Sequence, residues 1–200
     1  MGNRYGEEMI LSLNNLILII LIILSVKYDI FERRIPNKLT IPVILWGIVT
    51  AGIFSGFNGI LFSISGFLVG LAVFFIPFVL GGMGAGDVKL MAAVGSLLGW
   101  KLTVYSALLT AIAGGIIVIG YTIYTGKFVG MIKNMGVHFI KWILYFIYLA
   151  THNEGVFRKY KSLNVSKAYG EKTYIPYGVA IAVGTIIVLA GNHFGYAPFK

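Results

Sequence analysis

The chain has 200 residues, 58% of them hydrophobic and only 12% charged, with a mean hydropathy of +0.88. Soluble domains carry about 25% charged residues, so this sequence lacks the charge to cover a water-facing surface and its main solvent is lipid. The net charge of +9 fits Lys and Arg gathered in cytoplasmic loops, with no nucleic-acid partner, and the absence of cysteine excludes disulfides and thiolate metal sites.

A bilayer core about 30 Å thick takes about 20 helical residues at about 1.5 Å each. Six apolar stretches reach or approach that length, near residues 9–27, 39–54, 59–80, 87–100, 102–124 and 175–192. The first lacks a basic leader and a small-residue cleavage site, so it reads as a retained span and not a signal peptide. The fourth is short, which fits a helix sheltered by its neighbours. A seventh apolar stretch, 128–150, carries Asn134, His138, Lys141, Tyr145 and Tyr148 at spacings of three and four. Such a polar stripe suits a helix lying in the interface.

With six crossings, the loop 27–38, Lys89 and the basic run from Arg158 to Lys172 share one side, cytoplasmic by the positive-inside rule, and both termini lie outside. The expected fold is all-α: one membrane-embedded domain over residues 1–200, with about six transmembrane helices plus one interfacial amphipathic helix. Glycine is abundant, 26 residues, and the pairs Gly66–Gly70 and Gly95–Gly99 and the stripe Ala107–Ala111–Gly115 predict close helix contacts. No pattern here specifies an oligomeric state.

The chemistry is confined to few residues. The seven acids are Glu7, Glu8, Asp29, Glu32, Asp87, Glu154 and Glu171. Glu7 and Glu8 precede the first span, while Glu154 and Glu171 offset charge in the last basic loop. Asp29, Glu32 and Asp87 remain, at the cytoplasmic ends of the first and fourth spans. Each aspartate has an ordinary explanation. Asp29 stands four residues before Arg33 and could make a surface ion pair, worth about 0–1 kcal/mol. Asp87 follows Gly86 before an apolar helix, where an N-cap Asp is common. Their convergence on one face is less ordinary, because ionisable groups at membrane depth are costly and tend to be functional. Two close carboxyls share a proton, so one can activate water while the other polarises a carbonyl. The glycines before Asp87 would let a substrate backbone approach.

Other motifs fail. Gly86 is followed by Asp87 and Val88, not by the Lys-Ser/Thr of a P-loop, and Asp87 occupies the third glycine position of a dinucleotide fingerprint. His138, His152 and His193 have no ligand spacing, so no metal and no cofactor are expected.

The segments Asp29–Thr40, "DIFERRIPNKLT", and Gly81–Gly99, "GGMGAGDVKLMAAVGSLLG", resemble the paired signatures of type IV prepilin peptidases, the second being their GxGD motif. "IPYGVAIAVG", Ile175–Gly184, is similar to the proline-glycine opening of that family's last span. Archaeal preflagellin peptidases are similar in plan, and the short length looks closest to the TadV- or CpaA-like enzymes of tight-adherence pili.

The resemblance implies a membrane aspartyl endopeptidase with Asp29 and Asp87 as its catalytic pair. It would remove the short basic leader of prepilin-like or preflagellin-like substrates at the cytoplasmic face. Larger prepilin peptidases carry a cysteine-bearing N-terminal region and also methylate their products. This cysteine-free chain is expected to lack zinc and methyltransferase activity. The motif residues Gly84, Gly86, Lys89, Arg33, Arg34, Pro36 and Asn37 are expected to support the site. Pro36 would stop the first helix. Arg33, Arg34 and Lys38 would anchor to anionic headgroups of the bilayer, and Lys89 would be an interfacial anchor. Two readings from other classes stand beside the peptidase: a transporter using the aspartates as an ion relay, and a non-catalytic membrane subunit of a pilus or secretion system.

Overall fold

The computed structural model describes residues 2–79, 82–163 and 176–195. Gly81 of the second signature, the loop residues Lys167, Glu171 and Lys172, and Ile175 lie outside the described residues. The described chain forms helices α1 (Gly2–Glu32), α2 (Asn37–Val79), α3 (Ala85–Tyr124), α4 (Phe128–Thr151), α5 (Glu154–Ser162) and α6 (Tyr177–His193), with no strand among the described residues. By length and apolar composition, α1 from Ser12, α2 and α3 can each cross a membrane, and α6 is a shorter apolar helix of 17 residues.

Two of these helices are broken where the sequence divides its spans. Gly56 (φ 58, ψ −142) interrupts α2 and Gly99 (φ 73, ψ 171) interrupts α3. Positive φ is open to glycine at little steric cost. At Gly56 the chain turns back on itself: a Cβ on Gly59 would strike the Ala51 carbonyl, although residues eight apart on a continuous helix stand about 12 Å apart.

The chain forms two compact units, 1–115 with 175–200, and 116–174. In the first unit large apolar side chains face outward, and the core mixes apolar with polar groups. Leu16, Ile19, Ile20 and Ile23 of α1 and Phe57, Leu61, Phe75 and Ile76 of α2 are exposed. Inside lie Ser25, Ser63, Ser96, Thr103, Ser106 and Thr185 beside Leu18, Met91, Val94 and Ile181. Lipid demands this arrangement, because polar groups must find partners within the protein. Ser63 Oγ donates to the Ser96 carbonyl at 2.7 Å, and the Ser106 and Thr185 hydroxyls meet at 2.8 Å. Side-chain bonds between membrane helices average about 0.6 kcal/mol each.

Small residues set the helix contacts. Gly66 lies against Gly95, and Gly70 against the Met91 carbonyl, so closely that a Cβ on Gly66, Gly70 or Gly95 would collide with backbone. The GxxxG expectation therefore holds for these arms. The stripe Ala107–Ala111–Gly115 does not: Ala111 is exposed and nothing lies within 4 Å of a Cβ on Gly115. The packed face is one position earlier, Ser106–Thr110–Gly114, and it receives Thr185, Gly184 and Ala180 of α6.

In the second unit, α4 ends at His152 in the left-handed region (φ 50), and Asn153 caps α5 by accepting from Gly155 N–H at 2.8 Å. The sequence reads this segment as part of a basic loop, and the structure forms a short helix there. Aromatic stacking of Tyr148 on Phe157 (4.8 Å) and Lys141 over the Tyr160 ring (5.3 Å) hold α5 against α4. Lys133, His138 and Lys141 lower the hydropathy of α4, which is not among the described helices apolar enough to cross.

Candidate active site

Three helix ends in the first unit build the site. The last turn of α1 carries Asp29, which is 2% exposed and therefore no surface residue. Its Oδ2 accepts from the backbone N–H of Gly178, 149 positions away in the first turn of α6, at 2.7 Å. The first turn of α3 carries Asp87, 7% exposed, whose Oδ2 accepts from Gly84 N–H at 3.1 Å. The two carboxyls interact electrostatically, and Tyr177 stands within the same reach of Asp87. Two acidic side chains from separate helices are thus buried together, each with one oxygen tied to a glycine amide.

The local reasons differ from those read in the sequence. Asp87 is not the N-cap of α3. The helix begins at Ala85, so Gly84 is the cap residue and Asp87 is the third helical position, reaching back to the cap's own N–H as in a capping box. Pro36 does not stop α1 either. The helix ends at Glu32, and Arg33 turns the chain in the left-handed region (φ 54). Pro36 instead opens α2, its carbonyl accepting from Leu39 N–H at 3.1 Å. Lys89 is exposed, but it also donates to Asn37 Oδ1 at 2.9 Å and so ties the start of α3 to the start of α2. Gly86 rests on Ile35, where a Cβ would stand 3.1 Å from the Ile35 Cβ.

Beside these turns lies a cavity of about 810 Å³, lined by Tyr28, Glu32, the link from Arg33 to Leu39, Gly84, Ala85, Gly86 and Lys89. The supporting residues named from the sequence, Arg33, Arg34, Pro36, Asn37, Gly84, Gly86 and Lys89, all line it. Neither aspartate lines the cavity; each is covered by its neighbours. Glycines at 84 and 86 form its wall on the α3 side, so its approach to the Asp87 turn is made of backbone.

A model of the type IV leader peptidase family matches residues 16–119, a stretch that holds both aspartates and the whole of the α1–α2 link. The chain belongs to the type IV leader peptidase family. The prepilin leader peptidase/N-methyltransferase of Aeromonas hydrophila is 32% identical over 99 residues, covering 46% of this chain and 34% of the relative. The proteins of that name from Aeromonas salmonicida (strain A449) and Aeromonas salmonicida match to the same extent. This chain thus spans about a third of the length of the curated relatives it matches. No solved structure matches it.

For this family member, Gly178 and Tyr177 are site residues that do not stand out by residue type. The available signal was the Pro-Tyr-Gly run opening an apolar helix. It places a residue without a side chain, and a free N–H, on the first turn.

Proposed function

We propose that the protein is a membrane aspartyl endopeptidase that removes the leader of prepilin-like or preflagellin-like substrates at the cytoplasmic membrane face. One observation carries the reading: the buried, electrostatically interacting pair Asp29 and Asp87, within the segment matched by the leader peptidase family. In the proposed reaction an ionised carboxylate takes a proton from water, whose oxygen attacks the scissile carbonyl carbon. The protonated partner gives its proton to the carbonyl oxygen. Collapse of the tetrahedral diol breaks the C–N bond, and a proton passes to the leaving amine.

The glycine wall at 84 and 86 suits an extended peptide backbone. The cavity rim carries Arg33, Arg34, Lys38 and Lys89 against Glu32. Its charge therefore gives a basic leader little attraction, and in this reading the leader's cations stay at the headgroups.

The test is co-expression with a candidate prepilin, following leader removal by gel shift. Asp29→Asn and Asp87→Asn are each expected to abolish cleavage while the protein still inserts in the membrane. Normal processing by both variants would sink the assignment.

A further inference from the structure

The proposed reaction leaves the α6 N-terminus without a role. Its first turn addresses both carboxyls: Gly178 N–H donates to Asp29 Oδ2 at 2.7 Å, and Tyr177 lies within electrostatic reach of Asp87. A backbone N–H in the first turn of a helix has no partner within that helix, so the Gly178 amide can be given wholly to the carboxyl. The lack of a side chain is equally specific. A Cβ at 178 would stand 2.7 Å from Asp29 Oδ2 and 3.0 Å from Asp29 Cβ and Cγ. Separations under about 3 Å force something to move, and here the obstructing atoms include the root of a buried side chain as well as its tip.

We propose that Gly178 is a positioning residue for the two-aspartate reaction, its amide fixing Asp29 through Oδ2 so that proton transfer runs through Oδ1. The inference rests on the peptidase reading and adds an orientation to it. A donor N–H occupies one of the two lone pairs of Oδ2 and draws electron density from that oxygen, so protonation at Oδ2 is disfavoured and the transferable proton is carried by Oδ1. Gly84 N–H does the same to Asp87 Oδ2. The two glycine amides, one from α6 and one from the turn before α3, therefore choose which oxygen of each carboxyl handles protons. Each does so without placing a side chain beside it.

Removal of the N–H alone is the decisive change. Replacing Gly178 by glycolic acid in the full chain turns the amide into an ester. It deletes the donor, adds no Cβ and breaks no intrahelical bond. Cleavage of a prepilin peptide in detergent is expected to lose about 10- to 100-fold in kcat, the range for a hydrogen bond to a charged group. KM should stay unchanged and the acidic limb of the pH–rate profile should be displaced. The same exchange at Val179, whose N–H bonds the Pro176 carbonyl, should leave that limb in place.

Gly178→Ala, with folding followed by thermal unfolding in the same detergent, should lose at least about 10-fold in kcat from the same lost bond. An ester at 178 with wild-type kcat and a superimposable pH–rate profile overturns the inference, even if Gly178→Ala is inactive. Asp29→Asn assayed alongside keeps the two questions apart. If it is inactive and the ester is normal, the peptidase reading stands and the positioning role falls; if Asp29→Asn cleaves normally, Asp29 has no part in the reaction and the two-aspartate reading falls with the positioning role.

Discussion

Asp87 holds two roles on one side chain, and they can be separated. As the third residue of α3 its Oδ2 satisfies the N–H of Gly84, one of the donors a helix start leaves without an intrahelical partner. As half of a buried pair it is placed for acid–base work. Asparagine keeps a carbonyl oxygen that can accept from Gly84, whereas alanine does not. Asp87→Asn should therefore unfold in detergent near the wild-type temperature and yet fail to cleave. Asp87→Ala should lose cleavage and about 0.5–2 kcal/mol of stability as well, the usual cost of a lost helix cap. Equal stability losses in the two variants would remove the cap from the account.

The aspartate itself was legible in the sequence, because a carboxyl beside glycines in an apolar chain has few explanations. Its helical position was not: GAGD allows the cap to sit at 84 or at 87, and only the hydrogen bond decides. Gly178 was harder still. Its value is a backbone N–H and an empty space, neither of which leaves a chemical mark on the residue type.

At the scale of helices, the cost of filling a glycine depends on what faces it. Gly66 and Gly95 face each other's carbonyls, so Gly66→Ala or Gly95→Ala must push two backbones apart. Overpacking of this kind costs about 1–3 kcal/mol and sometimes more. Gly115 faces open space, and alanine there should stabilise α3 by about 0.5–1 kcal/mol through helix propensity alone. Thermal unfolding of the three variants in one detergent gives the ordering; a neutral Gly66→Ala would contradict the packing of the α2 and α3 arms.

The sequence showed this contact through its GxxxG spacing. It misassigned the neighbouring stripe by one position because Ala107–Ala111–Gly115 and Ser106–Thr110–Gly114 are equally periodic. Residue size alone favoured the first. The structure buries the second because Ser106 finds Thr185 as a partner, and Gly184 is small enough to admit Thr110.

For the whole molecule, the distribution of charge along the chain bears on how often it crosses the membrane. Gly178 at the start of α6 touches Asp29 at the end of α1, so these two ends share a face. Along α3, Ser106 meets Thr185, Thr110 meets Gly184, and Gly114 lies by Ala180 and Tyr177. Over residues 106–114 the second arm of α3 therefore runs antiparallel to α6. Beyond it, α4 has 24 residues, long enough to cross at about 1.5 Å each, whereas α5 has only 9, too few for a crossing. From the sequence we propose that neither crosses: the basic residues Arg158, Lys159 and Lys161 favour the cytoplasmic side by the positive-inside rule, the side proposed for Asp29 and Asp87. A topology reporter fused after Lys161 should read cytoplasmic, and one fused at Lys200 external. An external reading at Lys161 would mean that α4 crosses.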